Sequence, residues 1–309
     1  MASLREIKDR IGSVRSTLKI TSAMKLVASA KLRKAQRAIE ALRPYERTLG
    51  EILAAVGPLD PSTTERRLRM TNVDSSHADR SNCHSERSEE STPVCKTAIV
   101  AIASNSSLCG GFNANAARLA LETIRACEGA VEVFPLGRKM AESLKRAGYT
   151  SDQDYNDLVG HPSYEKSAAL ARSLAERFQA GEFDRVVLVY NRFRSASSQE
   201  PVAEQYLPFE AAPVILSGSE ESLPAPDEYI LEPDAEALVA QLLPQVMMLK
   251  FHAAVLDSVA AEQAARTLAM QTASDNAEDL LGELTLEYNK GRQQKITAEI
   301  LDLLGGATG

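Results

Sequence analysis

Several features that accompany catalytic metal sites and disulfide scaffolds are missing from this chain of 309 residues. Its four cysteines, Cys83, Cys95, Cys109 and Cys127, show neither a CxxC spacing nor a cysteine–histidine spacing typical of a metal site. They are also too few for a disulfide scaffold. We therefore interpret them as reduced thiols of a cytosolic protein.

Long hydrophobic runs are missing as well. No uninterrupted stretch reaches the roughly 18 apolar residues that a membrane-spanning helix needs. Apolar heptad positions begin at Leu4, so we expect no cleaved leader. Hydrophobic residues make up 44% of the chain and charged residues 25%, which is ordinary for a soluble protein.

A heptad repeat is the most informative feature that is present. Of the sixteen a and d positions between Leu4 and Val56, thirteen are apolar, and the exceptions are Thr21, Lys25 and Glu46. A stripe that recurs every seven residues needs a partner helix. The C-terminal region offers one, with the same rhythm at Leu242, Val246, Leu249, Ala253, Leu256 and Ala260. We predict that the two ends of the chain form a coiled coil with each other.

The charges of the two ends support this pairing. Residues 1–56 carry 12 lysines and arginines against 5 acidic residues, whereas residues 234–309 carry 5 against 11. Solvation of exposed faces would explain either helix alone. Opposite net charges on two helices with matching stripes favour pairing between them over self-pairing.

The predicted organisation has four parts. Residues 1–57 form the first helix, and residues 232–305 form the last, which we expect to begin at Glu232-Pro233-Asp234 because proline suits a first helical turn. Residues 62–93 contain seven serines and few apolar residues, so we predict a disordered insertion there. Residues 95–210 form an α/β domain.

Within that domain, short apolar runs alternate with helical patterns. Predicted strands cover 97–103, 131–136, 185–190 and 202–209, and predicted helices cover 113–127, 138–147 and 163–180. This alternation predicts an open, mostly parallel sheet.

A stripe of alanines recurs every four residues in the last helix, at Ala261, Ala265, Ala269, Ala273 and Ala277. Small residues let helix axes approach closely. We predict that this stripe faces the first helix and makes the coiled coil a thin rod.

The best candidate for chemistry is the segment 107–113, since it follows a strand and precedes a helix, where doubly wound folds place ligands. It matches neither phosphate-binding glycine motif. Cys109 also lacks a histidine partner, because His161 and His252 are the only histidines outside the insertion. A tight turn is the better interpretation, and a soluble enzyme that uses Cys109 is the rival one.

Two further clusters are candidates for binding. Lys31, Arg33, Lys34 and Arg37 lack interleaved aromatic residues in an acidic chain, so we predict no nucleic-acid binding. His77, Cys83 and His84 are a weak metal candidate in a low-complexity segment. We predict no catalytic residue, cofactor or metal.

Four segments resemble the γ subunit of F-type ATP synthases. They are IKDRIGSVRSTLKITSAMKLVASAKLRKAQ (7–36), LCGGFN (108–113), EQAARTLAMQTASDNA (262–277) and YNKGRQQKIT (288–297). They occur in the family's order, and the match covers all of the chain except roughly 62–93.

The resemblance implies an antiparallel coiled coil with a Rossmann-like open α/β domain at its foot. It implies a rotor shaft without a catalytic site of its own, inserted in a hexamer of α and β subunits. The foot would contact the ε subunit and the membrane c-ring, which places the chain at the cytoplasmic face of a bacterial inner membrane as a peripheral protein.

The resemblance also implies which residues lie at or near contacts with other subunits. Positions matching Met24, Arg266, Arg292, Gln293 and Thr297 lie at or near β-subunit contacts or in the shaft that supports them, and positions matching Tyr229 and Glu232 lie near the ε and c-ring end. From the heptad pattern, Lys25 is a further candidate, because a polar break sets register or marks a partner contact.

Three details of the resemblance complete the expectations. Asn105-Ser106-Ser107 stands where the family has an Asp-Arg-Gly-like triplet, and Cys83 and Cys95 do not match the regulatory cysteines of the chloroplast form, so we predict no thiol switch. We expect the apolar end (Ile300, Leu301, Leu303 and Leu304) to turn against an apolar sleeve. The alternative is that this end packs on the first helix near Val14 or Leu18.

Overall fold

Two long helices frame the molecule, for which a computed structural model describes residues 3–55, 96–151, 153–208 and 235–306. Helix α1 is Leu4–Ala55, and the last helix, α6, is Ala235–Gly306. At 1.5 Å per residue they reach roughly 80 Å and 110 Å. The predicted insertion at 62–93, Val56, Tyr229 and Glu232 lie outside the described residues.

Between them lies a four-stranded sheet with the order β2-β1-β3-β4. The strands are β1 (Lys96–Ile102), β2 (Ala130–Leu136), β3 (Arg185–Phe193) and β4 (Gln199–Leu207). Strand β1 pairs in parallel with β2 and β3, whereas β4 pairs antiparallel with β3. The prediction of an open, mostly parallel sheet is confirmed.

Four shorter helices connect or cover the strands: α2 (Phe112–Ala126), α3 (Arg138–Arg146), α4 (Asn156–Gly160) and α5 (Tyr164–Gln179). The sequence predicted α2, α3 and α5 to within a residue or two. It missed α4, because a five-residue helix is too short to show a period.

The sheet is buried on both faces because its central strand alternates between two cores. Ala98, Val100 and Ile102 face α5 and the first part of α6, and Ile99 and Ala101 face α2 and α3. All five side chains are fully buried. The first part of helix α6 is therefore a layer of the α/β domain, and the helix is also one of the two helices of the coiled coil.

These two packing roles explain why α6 is so apolar. By length and apolar content alone, a window between Ala237 and Leu303 could cross a membrane. In the structure, however, Leu243, Met247 and Phe251 are at most 2% exposed and pack into the sheet core. The apolar character of α6 here is that of a core helix.

Two predicted strand ends were too short. Strand β3 continues past 190 to Phe193, and β4 starts at Gln199, because Arg192 pairs with Glu200 and Phe193 with Gln199 in the antiparallel ladder. These residues are mostly polar and lie outside the apolar runs that mark the buried part of each strand. Backbone pairing continued where side-chain burial stopped.

Candidate functional site

The two long helices form an antiparallel coiled coil, and the register is visible at two levels. Thr21 Oγ1 lies 2.8 Å from Ser274 Oγ in a buried hydroxyl pair. Farther along, a Cβ added to Gly291 would lie 3.1 Å from Leu4 Cδ2. The predicted heptad stripe is confirmed, because every a and d position with a described side chain is buried or half-buried except Glu46.

The stripe of α6 that faces α1 is not the alanine stripe that the sequence predicted. Met270, Ser274, Ala277 and Leu284 are the buried positions beyond residue 266. Ala261 and Ala265 instead pack against Cys109 and Phe112 of the α/β domain. That prediction was wrong except at Ala277, because a period of four drifts off the seam of a heptad helix.

The last turns of α6 extend beyond the first described residues of α1. Leu4 begins α1 and lies beside Gly291, and α6 continues from 292 to 306. Ile300, Leu301 and Leu303 are 52%, 62% and 75% exposed. The alternative that this end packs near Val14 or Leu18 is therefore wrong, since those residues lie opposite the part of α6 between Ser274 and Gly291, and residues 292–303 are exposed.

At the junction between shaft and domain, Arg266 is committed to partners within the chain. Its Nη1 donates to Glu262 Oε1 at 2.6 Å, and its Nη2 donates to Ser106 Oγ at 2.8 Å. Arg266 and Glu262 are 8% and 6% exposed. The pair ties α6 to the loop 105–107, where the sequence departs from the family's triplet.

The loop that follows β1 is packed rather than open. Cys109 is 1% exposed, and its Sγ accepts a hydrogen bond from Asn113 Nδ2 at 3.1 Å. Leu108 and Gly110 adopt positive φ angles of 67° and 58°, which make the turn tight. His252 donates to or accepts from Ser167 at 3.1 Å and lies on a different face of α6. Cys109 therefore packs the turn onto α6 and has no described base beside it.

A charged cluster lies where α1, the β3–β4 hairpin and α6 meet around a cavity of about 210 Å3. Glu204 is its centre: it contacts Lys250 Nζ at 2.9 Å, Arg192 Nη2 at 3.1 Å and Tyr190 Oη at 3.1 Å. Burial acts to raise the pKa of Glu204, but Lys250, Tyr190 and Arg192 outweigh it and lower that pKa.

Asp257 faces the same cavity without an ion pair among the described residues. Burial raises its pKa to about 6, against the opposing pull of Arg192 and Arg43. Burial likewise raises the pKa of Tyr190 to about 12. Sequence reasoning missed this cluster, because its members come from four elements. The one available signal was Lys250 and Asp257, spaced seven residues apart on one helix face.

Comparison with known proteins places the chain. A family model described as ATP synthase matches residues 3–309. The ATP synthase gamma chain of Bacteroides fragilis (strain YCH46) is 45% identical over 316 residues, which cover 99% of both chains. The chain belongs to the ATP synthase gamma chain family. The resemblance seen in the four sequence motifs is confirmed.

Solved structures agree at the level of the fold. The chain is similar to one in the central stalk and c-ring of Tetrahymena thermophila mitochondrial ATP synthase, with a TM-score of 0.54, 22% identity, and coverage of 82% of this chain and 99% of that one. It is also similar to one in the Euglena gracilis mitochondrial ATP synthase rotor, with a TM-score of 0.58, 18% identity, and coverage of 95% and 98%. The predicted fold class, a coiled coil with a Rossmann-like domain, is confirmed.

The structure places the gamma-family contact candidates in three different settings. Met24 and Lys25 are half-buried at the coiled coil, and Arg292, Gln293 and Thr297 are exposed on the last turns of α6. Arg266 is buried inside the chain. The first two groups therefore have surface to offer a partner, whereas Arg266 supports the shaft from within. Their roles as contacts stay predictions, as do those of Tyr229 and Glu232.

Proposed function

We propose that the chain is the central rotor shaft of a proton-translocating F-type ATP synthase, which couples c-ring rotation to ATP synthesis or hydrolysis at a hexamer of α and β subunits. The observation that carries this proposal is the bare end of α6. A helix end on which Ile300, Leu301 and Leu303 are exposed needs an apolar surface around it. A sleeve formed by surrounding subunits supplies one.

Torque transmission requires that the shaft be stiff along its length and different on each side. The antiparallel pairing from Leu4–Gly291 to the cluster of Leu32, Ala35, Ala260 and Ala264 makes it one body. Exposed apolar side chains at Ile20, Leu26 and Val27 contrast with polar neighbours. Such a shaft presents a different face to each surrounding subunit as it turns and so biases that subunit's conformation.

The energy for rotation comes from the ion gradient. Each charge that crosses the membrane contributes roughly 2.3 kcal/mol per 100 mV. The α/β domain at the foot of the shaft is the part that receives this work. We infer that it contacts the ε subunit and the c-ring, and that the chain is a peripheral protein at the cytoplasmic face of the bacterial inner membrane.

The chain itself has no catalytic role in this proposal, and the nucleotide sites belong to its partners. The packed environment of Cys109 supports this, since its thiol is 1% exposed and faces Asn113. The purified chain should hydrolyse no ATP, before or after Cys109→Ser. Hydrolysis that is lost on this change would instead favour the rival interpretation, a soluble enzyme.

Co-purification with α and β subunits tests the proposal directly. One chain should bind per hexamer. Arg292→Ala combined with Gln293→Ala should then impair coupled ATP synthesis in the assembled complex while the helicity of the isolated chain is unchanged. Lys290→Ala, an exposed change two residues before Arg292, is the control. Normal synthesis in the double variant would argue against a torque-bearing contact at this end.

A further inference from the structure

A cleft of about 500 Å3 opens between α1, α6 and the α/β domain, and neither rotation nor catalysis accounts for it. Its volume is in the range typical of small-molecule sites. Asn105 and Ser106, in the loop that follows β1, form one wall. Because β2 and β3 lie on opposite sides of β1, this wall is at the topological switch point of the sheet, where open α/β folds bind ligands.

The cleft is polar at one side and apolar at the other. Lys31 and Lys34 of α1 and His161 of the α4–α5 loop contribute basic groups. Val159, Pro162, Leu256 and Val259 contribute the apolar wall. Pockets with an apolar lining and a few charged groups orient small ligands that have one charged end.

The charge balance inside the cleft favours an anion. Among the residues that line the cleft, Glu262 is the one with a carboxylate. Its Oε1 already accepts hydrogen bonds from Arg266 Nη1 at 2.6 Å and from Gln263 Nε2 at 3.2 Å. Lys31 and Lys34 make no ion pair within the described part of the chain. The two ammonium groups are therefore left available to an incoming anion.

We propose that this cleft binds a small organic phosphate. Lys31, Lys34 and His161 contact the phosphate oxygens, and the organic body lies against Val159, Pro162 and Val259. Lysine ammonium groups form charge-assisted hydrogen bonds with phosphate, and a histidine ring N–H can donate a further hydrogen bond to it. A bound molecule would bridge the shaft and the loop 105–107, and so brace the junction that Arg266 already ties.

Titration calorimetry of the purified full-length chain tests this with three probes: ADP, pyrophosphate and adenosine. ADP should bind more tightly than either of the others, because only ADP has both the phosphate groups and the organic body. Lys31→Ala with Lys34→Ala should weaken ADP binding by about tenfold or more.

Arg33→Ala with Arg37→Ala is the matched control. It removes the same charge from the same helix, but neither arginine lines the cleft. It should weaken ADP binding at most about threefold, as expected for distant surface charges. Equal losses in the two pairs would show diffuse attraction to a basic helix and would overturn the proposal.

Ala38→Phe tests the apolar side without changing charge, because exposed Ala38 lines the cleft and a larger side chain there would occupy it. It should weaken ADP binding and leave pyrophosphate binding unchanged. The proposal fails if ADP does not bind to the wild-type chain. It also fails if the Lys31/Lys34 pair affects only assembly with α and β subunits, because the lysines would then serve an acidic protein segment.

Discussion

Single residues set the register of the shaft. Thr21 was one of three polar exceptions in the heptad stripe, and it forms a buried hydroxyl pair with Ser274. Thr21 Oγ1 also donates to Leu18 O at 3.1 Å, so Ser274 is the donor in the pair. A polar pair inside an apolar seam is satisfied in one alignment of the two helices only, and this favours a single register.

The two hydroxyls should not contribute equally to stability. Thr21→Val leaves the buried Ser274 hydroxyl without its acceptor and should lower the free energy of unfolding by about 1–3 kcal/mol. Ser274→Ala leaves Thr21 bonded to Leu18 O and should cost less. The double variant should cost less than the sum of the two. Urea unfolding of the full chain measures all three, and additive losses would show that the hydroxyls do not interact.

Arg266 and Arg292 provide a second comparison between single residues. Both are predicted to lie at or near β-subunit contacts or in the shaft that supports them, but Arg266 is 8% exposed and paired with Glu262, whereas Arg292 is exposed. Arg266→Ala should therefore destabilise the isolated chain by about 3–5 kcal/mol, because it leaves the Glu262 carboxylate buried without a cation. Arg292→Ala should change stability by less than about 0.5 kcal/mol.

Urea unfolding of the isolated chain also checks this pair. If Arg266→Ala is as mild as Arg292→Ala, the ion pair at the junction contributes nothing to the fold. The interpretation that Arg266 supports the shaft from within would then be wrong. The double variant Arg266→Ala with Glu262→Ala should recover part of the lost stability, since it removes the unpaired carboxylate.

At the scale of elements, the hairpin and the two long helices meet at the charged cavity, and this junction should respond to pH. The pKa of Asp257 is raised from 3.8 to about 6 by burial, so the folded chain binds its proton more tightly than the unfolded chain. Its contribution to stability is full below about pH 4 and is lost as pH rises through about 6.

Asp257→Asn removes that pH dependence. At pH 8 the variant should be more stable than the wild type by about 1–2 kcal/mol, since a half-buried carboxylate is no longer ionised, and the advantage should shrink toward pH 5. Asp279→Asn, an exposed position on the same helix, should show no such trend. The measurement is the free energy of unfolding of the wild type and the variant between pH 5 and 8. A constant difference between the two would mean that Asp257 does not titrate in this range.

Elements differ in how far the sequence predicts them. The seam of α1 and α6 was predictable, because burial against one partner leaves a heptad record in the residues. The alanine stripe was misassigned, since Ala261 and Ala265 pack on the α/β domain and only Ala277 lies in the seam. A helix that is buried on two sides in succession carries two overlapping patterns. The sequence alone cannot separate these two patterns, because it does not show which side of the helix packs on which neighbour.

The candidate sites also differ in how far the sequence predicts them. The resemblance led us to expect an apolar sleeve around the end of α6, with packing on α1 as the alternative, but no sequence pattern pointed to the cavity around Glu204 and Asp257. Glu204 comes from β4, Lys250 and Asp257 from α6, and Arg43 from α1. Charged residues on an acidic chain are too frequent to single out four of them. Only the fold brings them together, because long-range packing is not encoded in local spacing.

For the whole molecule, the proposed rotor function requires that α1 and the part of α6 paired with it move as one rigid body. Leu4→Cys with Gly291→Cys, in a chain whose natural cysteines are replaced by alanine, should be joined by a short thiol crosslinker, because a Cβ at 291 lies 3.1 Å from the Leu4 side chain. Leu4→Cys with Leu303→Cys should not be joined, since residue 303 is roughly 18 Å farther along the helix.

The joined shaft should still support coupled ATP synthesis in the assembled complex, because rotation does not require the two helices to move past each other. Loss of synthesis on joining them would mean that α1 and α6 slide during turnover, and the rigid shaft would then be the wrong description of how this chain works.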